Sequence, residues 1–296
     1  MPFLPAVRRR VLRPEPADLE GVLRFLRARA IPGVEDAGER HYARSLRARH
    51  GLAVARLELD AERTAIGLEL HLEDARDEAE VARRMLGLLD LDAPAAEIDA
   101  ALGAHPLLAP RVRATPGIRI PGAVDGPEIA ARAIVGQQIS VVAALGHLTE
   151  LAVAGDALPE PVGGIDRLFP TPAQLAEGGA ELLRGPAARR ATLRATSAAL
   201  AEGAIVLDRD AGDRDAEEIR AQLLALRGIG PWTADYIGLR ALGRRDVMMS
   251  GDVALRLGLR RLGVEDATLL EFAEPFRPWR SHLALHLWAA AAPPNG

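Results

Sequence analysis

Hydrophobic and polar positions recur at two different periods along this chain. Leu19, Val22, Leu23 and Leu26 are spaced as one helical stripe, which predicts a helix over 18–30 closed by Pro32-Gly33. Two segments then run at period two. In 53–60, Leu57 and Leu59 alternate with Glu58 and Asp60; in 66–72, Leu68, Leu70 and Leu72 alternate with Glu69 and His71. The short turn 61–65 between them predicts a β-hairpin. Residues 77–89 return to helical spacing. From about residue 90 the period-two signal stops. Helical spacing then predicts elements over 127–153, 172–183, 187–202, 215–226, 231–242, 252–262, 269–272 and 279–291, with the Pro- and Gly-rich stretch 155–172 as a loop. The pattern reads as a small α+β N-terminal domain over 1–88 followed by a mainly all-α region.

Composition narrows the chemistry. The 296 residues are 49% hydrophobic and 26% charged, enough apolar material for a sizeable core. There is no cysteine and no lysine, so all 37 basic residues are arginine, a bias that a GC-rich genome produces by itself. Without cysteine there are no disulfides, thiolate metal sites or cysteine-ligated iron–sulfur clusters. Without lysine there is no side-chain Schiff base and no phosphate-loop lysine. Residues 1–16 lack an apolar signal core, and the apolar run 283–292 is interrupted by His286 and too short to span a bilayer. The expectation is a soluble cytoplasmic protein with no membrane partner.

Net charge is −4, but it is segregated. Residues 181–200 hold Arg184, Arg189, Arg190 and Arg194 against Glu181, and residues 225–262 hold seven arginines against three acids. Either stretch serves as a solvated helix face or as a footprint on a phosphate backbone.

The most specific local signal is Leu226-Arg227-Gly228-Ile229-Gly230-Pro231-Trp232-Thr233-Ala234. A helix ends, two glycines permit a tight turn, and Pro231 is shaped for the first turn of the next helix. Such a turn is a tight helix–helix corner, or a helix–hairpin–helix whose amides favour a phosphate. Trp232, Tyr236 and Arg240 follow at four-residue spacing on one helix face, suited to core packing or to an aromatic pocket. Asp252 follows Gly251 and opens a helix, so it reads as an N-cap, as a general base, or as both.

These residues together resemble the helix–hairpin–helix Gly/Pro…Asp (HhH-GPD) DNA glycosylases, and within them the AlkA type, DNA-3-methyladenine glycosylase II. The stretches 131–140, 239–243 and 276–281, with Leu287-Trp288, agree with it. The resemblance implies a glycosylase core of two helical subdomains, 89–126 with 237–296 and 127–236, the latter ending in the helix–hairpin–helix at about 216–242, with the active site in the cleft between them. It implies that Asp252 is catalytic and that Trp232, Tyr236 and Trp279 line the pocket for a flipped alkylated base. Gln138 falls at the wedge position, where a polar residue replaces an apolar one. Arg227, Gly228, Ile229, Gly230 and Thr233 would contact DNA. The Leu224, Leu226 and Ile229 carbonyls would hold a structural Na+ or K+. No cofactor is expected for catalysis, and no iron–sulfur cluster.

Bifunctional members carry a lysine where Trp232 stands, so the resemblance implies a monofunctional enzyme. The remaining amine route would need Pro2, exposed by loss of Met1. Met248-Met249-Ser250 departs from the family's lead-in to the aspartate and leaves pocket shape open. Arg280, beside the Trp279 position, reads as a structural ion-pair partner of the catalytic helix or as a contact to the base. The implied partner is damaged double-stranded DNA, bound by a monomer whose product passes to an abasic-site endonuclease. The competing readings are a non-catalytic helix–hairpin–helix DNA-binding protein and a glycosylase for oxidised or deaminated bases.

Overall fold

The computed structural model describes residues 6–14, 17–207, 209 and 213–292, so Pro2 lies outside them. In chain order the elements are β1 (Ala6–Leu12), α1 (Leu19–Arg27), β2 (Glu35–Ala37), β3 (His41–Arg47), β4 (Leu52–Leu59), β5 (Ile66–Leu72), α2 (Glu78–Leu86), α3 (Ala95–Gly103), α4 (Ala109–Ala114), α5 (Gly126–Val135), α6 (Val141–Leu151), β6 (Ala157–Val162), β7 (Ile165–Arg167), α7 (Pro172–Glu177), α8 (Ala187–Ala201), α9 (Asp213–Ala225), α10 (Pro231–Arg240), α11 (Val253–Arg261), α12 (Leu269–Ala273) and α13 (Arg280–Ala291).

The predicted hairpin is β4–β5, paired from Leu59↔Ile66 to Ala53↔Leu72. It sits inside a five-stranded antiparallel sheet of order β1-β5-β4-β3-β2. Three of its strands gave no period-two signal; β2 has only three residues, and β1 and β3 differ in their reasons. β1 is an edge strand with Val7 and Val11 largely exposed, and its Arg8, Arg9 and Arg10 pair with Glu78 and Glu69. β3 is covered on both faces, so Tyr42 to Leu46 are all buried and the alternation disappears. Its outer cover includes the segment expected to be a loop. Residues 157–167 form the small β6–β7 sheet, whose Leu158 and Ile165 pack with Leu168 against Ala43 and Val54.

The expected long helix over 127–153 is two helices. α5 stops at Gly136, Gln138 adopts a left-handed φ of +59°, and Ser140 caps α6 by accepting from the Ala143 N–H at 3.2 Å. The break turns Gln137 and Gln138 into a loop.

Beside the small cluster under β6–β7, three larger hydrophobic cores result. One lies between the sheet and α1 and α2. A second joins α5, α6, α8, α9 and α10. The third joins α3, α4, α11, α12 and α13. α10 serves two of them, with Ala234 and Ile237 in the second and Leu239 in the third. Among the described residues no helix is long and apolar enough to cross a membrane.

Candidate active site

Residues 226–230 join α9 to α10 as the predicted hairpin. Gly228 has φ +91°, and a Cβ there would stand 2.0 Å from Thr192 Oγ1, so both the backbone and the close approach require glycine. Gly230 is the N-cap of α10 and Pro231 its first residue. Gln137 closes the turn from outside by donating its Nε2 to Gly228 O (3.0 Å) and to Thr233 Oγ1 (2.9 Å). Arg189 Nη2 in turn donates to Gln137 O at 2.6 Å.

This geometry decides which groups of the hairpin face outward. Thr233 is 3% exposed and its hydroxyl serves Gln137, so it faces inward. The Ile229 side chain is buried, and its N–H donates to Leu226 O at 3.1 Å. The hairpin amides of Gly228 and Gly230 and the first-turn amides of Trp232 and Thr233 have no backbone acceptor, and Arg227 beside them is exposed. Gln138 is also exposed.

Asp252 is the N-cap of α11, and its Oδ1 accepts from the Leu255 N–H at 2.9 Å. Two indoles complete its surroundings. Trp232 Nε1 donates to Oδ2 at 2.9 Å, and Trp288 Nε1 donates to Oδ1 at 3.3 Å. Three N–H groups thus hold one carboxylate at a helix N-terminus and fix its orientation. The strand-free loop before it is clamped by the start of α13. Ser281 Oγ donates to Arg244 O at 2.7 Å and accepts from the Val247 N–H at 3.0 Å. Arg280 Nε pairs with Asp246 at 2.6 Å, the structural role expected of it. Met248 and Met249 are buried in the third core.

The one-face stripe on α10 is an aromatic stack. The Trp232 and Tyr236 rings are 5.3 Å apart and 12° from parallel. Tyr236 Oη accepts from Arg240 Nη1 at 2.9 Å. Arg240 is anchored by Pro121 O and by Gly122 O at 3.0 Å. Burial pushes the Tyr236 phenol up, but the Arg240, Arg29 and Arg132 guanidiniums outweigh it and hold its pKa below the ordinary value. Asp252, Trp232 and Tyr236 all line one open cavity of about 1180 Å³.

Trp279 does not belong to that lining. It sits at the N-cap of α13 with its ring against His282, 6.1 Å between centroids. Trp288, two turns further along α13, takes the place expected of it. The motif carrying the signal was Leu287-Trp288, but helical phase alone could not choose between the two indoles. Sequence reasoning also missed Phe25 and Arg29. They line the same cavity from the N-terminal sheet domain, more than 200 positions away from the motif.

A family model for the AlkA N-terminal domain matches residues 11–125. The chain is 39% identical over 282 residues to the probable bifunctional transcriptional activator/DNA repair enzyme AlkA of Mycobacterium tuberculosis, covering 94% of this chain and 56% of that protein. It therefore spans about half the length of that relative. It is 33% identical over 283 residues to DNA-3-methyladenine glycosylase 2 of Escherichia coli, covering 92% of this chain and 94% of that one. A solved 3-methyladenine DNA-glycosylase from Archaeoglobus fulgidus shares the fold, with a TM-score of 0.76 at 21% identity over 95% of this chain and 98% of that one. With a third of its residues identical across nearly the whole Escherichia coli protein, the chain belongs to the AlkA-type DNA-3-methyladenine glycosylase 2 family.

Proposed function

We propose that this protein is a monofunctional DNA glycosylase that flips alkylated bases of the 3-methyladenine and 7-methylguanine type out of damaged duplex DNA and hydrolyses their N-glycosidic bond. The observation that carries this reading is the Asp252 carboxylate, held by three N–H donors in the cavity that the Trp232–Tyr236 stack also lines.

As the bond from the sugar C1′ to the base nitrogen breaks, its electron pair leaves with the base and positive charge builds on the deoxyribose. A fixed carboxylate stabilises that charge. It also orients a water on C1′ and accepts the proton released as the new C–O bond forms. The products are the free base and an abasic site, which an abasic-site endonuclease would process. The base must leave the stack to reach Asp252, and Gln138, exposed on the α5–α6 loop, would occupy the gap. Alkylation at N3 or N7 makes a purine cationic, and an electron-rich indole or phenol face attracts such a ring by about 0.5–2 kcal/mol.

The Gly228 and Gly230 amides with Arg227 would hold a DNA phosphate. The Leu224, Leu226 and Ile229 carbonyls would hold a structural Na+ or K+. They are neutral hard oxygens suited to such an ion, and Leu226 O, which already accepts from Ile229, keeps its second lone pair. Absence of lysine supports hydrolysis without strand cleavage.

Asp252→Asn tests the reading. The variant should bind duplex DNA with wild-type affinity and lose release of 3-methyladenine from methylated DNA. Release at the wild-type rate would remove Asp252 from the reaction.

A further inference from the structure

We propose that Arg256 and Arg260, on the outer face of α11, form a second DNA-phosphate footprint, separate from that of the hairpin, which holds the lesion strand over Asp252. The inference rests on the reading above that the protein acts on DNA, and it adds two positioning residues to that reading.

The two basic stretches of the sequence separate once their partners are known. In 181–200, Arg184 pairs with Glu150, Arg190 and Arg194 pair with Glu181, and Arg189 donates to Gln137 O. In 225–262, Arg240 is held by the Gly122 carbonyl and the Tyr236 hydroxyl. Arg244 pairs with Glu217 at 2.6 Å and Arg245 with Asp92 at 3.0 Å. Arg261 donates to the Ala291 and Ala292 carbonyls at 2.8 and 2.7 Å. Arg227, Arg256 and Arg260 are left. All three are exposed, and among the described residues none of their guanidiniums meets a carboxylate or a carbonyl. Arg227 belongs to the hairpin. The other two lie on α11, the helix that Asp252 caps.

Nothing within α11 accounts for the pair. Arg256 ends the first turn, where the positive end of the helix dipole disfavours a cation. The last turn favours Arg260 by itself, but Arg260 stands four residues after Arg256, so two like charges share one stripe. Asp252, four residues before Arg256, gives its oxygens to the Leu255 N–H and the two indoles instead. An anion from outside the chain relieves both charges at once.

The stripe also begins at the right place. Val253, 68% exposed, and Ala254 line the same cavity as Asp252. With a rise of about 1.5 Å per residue, Arg256 and Arg260 stand about 6 and 12 Å along the axis from Asp252. A DNA strand carries a phosphate about every 3.4 Å of its axis. A nucleotide with C1′ at Asp252 would continue into a backbone within reach of both guanidiniums, with Val253 against the apolar face of a sugar. The chemistry recognised is a run of phosphodiesters, whatever the bases. A net charge of −4 gives the whole chain no diffuse attraction for DNA, so local basic sites have to supply it.

The test measures duplex affinity of the full chain from about 50 to 400 mM salt, with base release alongside. Each phosphate contact contributes about 0.9 to the slope of log affinity on log salt concentration. The double variant Arg256→Gln/Arg260→Gln should therefore lose about 1.8 of that slope. It should bind about ten-fold or more weakly at 0.1 M salt, on lesion-containing and undamaged duplexes alike. KM for base release should rise more than kcat falls. Arg256→Lys/Arg260→Lys should keep the slope. Arg49→Gln, exposed on the β3–β4 turn, controls for lost charge and should leave the slope unchanged. Uncharged methylphosphonates placed singly along the lesion strand locate the contacts. Those that weaken wild-type binding but are silent in the double variant should differ from those silent in Arg227→Gln. An unchanged slope, a slope lost equally in Arg49→Gln, or the same phosphates silent in both variants overturns the proposal. A wild-type protein that binds DNA but releases no base removes the glycosylase reading, and the slope still decides the footprint.

Discussion

Replacing Glu128 by Gln should destabilise the protein by about 3 kcal/mol at neutral pH and abolish part of its acid sensitivity. Glu128 lies on α5, 5% exposed, and accepts from Arg44 Nη2 (2.5 Å), Arg44 Nη1 (3.2 Å) and Arg132 Nε (2.8 Å). Arg44 comes from β3, and Arg132 also reaches Glu35 at 2.6 Å and the Arg29 carbonyl at 2.8 Å. This buried network joins the sheet domain to the helix that leads into the Gln137–Gln138 loop. Burial raises the Glu128 pKa, but the two guanidiniums outweigh it and hold the carboxyl at about 2, against an ordinary value of 4.5. At about 1.4 kcal/mol per pH unit, that depression contributes about 3 kcal/mol. Breaking a buried pair by removing one charge costs about 3–5 kcal/mol, so two routes give one magnitude. Because the folded-state pKa is the lower one, the contribution is complete above the unfolded value and fades as pH falls toward 2. Urea unfolding at pH 7, 5, 4 and 3 would measure both effects. Glu128→Gln should unfold at lower urea at pH 7 and show a flatter loss of stability below pH 5. A variant within about 1 kcal/mol of wild type at pH 7, or one with the wild-type acid slope, refutes the reasoning.

Three more perturbations probe the site. Gly228→Ala should cost about 2–4 kcal/mol, from a left-handed φ and a Cβ driven into Thr192 Oγ1, and should weaken duplex binding in a gel-shift titration; adding Thr192→Ala should restore only the clash portion. Trp288→Phe removes the 3.3 Å donor to Asp252, and since a hydrogen bond to a charged group is worth about 1.5–3 kcal/mol, kcat for base release should drop by roughly ten-fold or more with duplex affinity retained. Gln137→Ala unties the α5–α6 loop from the hairpin and should raise KM more than it lowers kcat; the opposite split would mean that the loop does not position DNA.

How much of this was legible depends on where each contact comes from. The hairpin, the α10 stripe and the Asp252 cap are local, because turn chemistry, helical phase and capping act within a few residues. They therefore appeared in the sequence at the positions the structure gives them. The sheet was half legible: β4 and β5 bury one face and alternate, whereas β3 buries both and does not. The break in 127–153 turned on Gln138 entering the left-handed region, which a glutamine seldom does and no spacing announces.

The pocket was the least legible part because its walls belong to different cores. Trp232 and Tyr236 come from α10, the helix shared by two cores. Trp288 comes from α13, and Phe25 and Arg29 come from the sheet domain. Helix phase gives the face of a residue relative to its own helix, and says nothing of which neighbour that face meets. Trp279 and Trp288 are equally apolar on one helix, yet only one reaches Asp252. The same logic explains why the sheet domain matters to chemistry at all. Glu128 binds Arg44 of β3 and Arg132 of α5, and Arg132 donates to the Arg29 carbonyl, so one ion network ties the segment after α1 to α5 along the cavity wall. A domain that reads in sequence as an accessory to the helical core is thereby a structural part of the pocket.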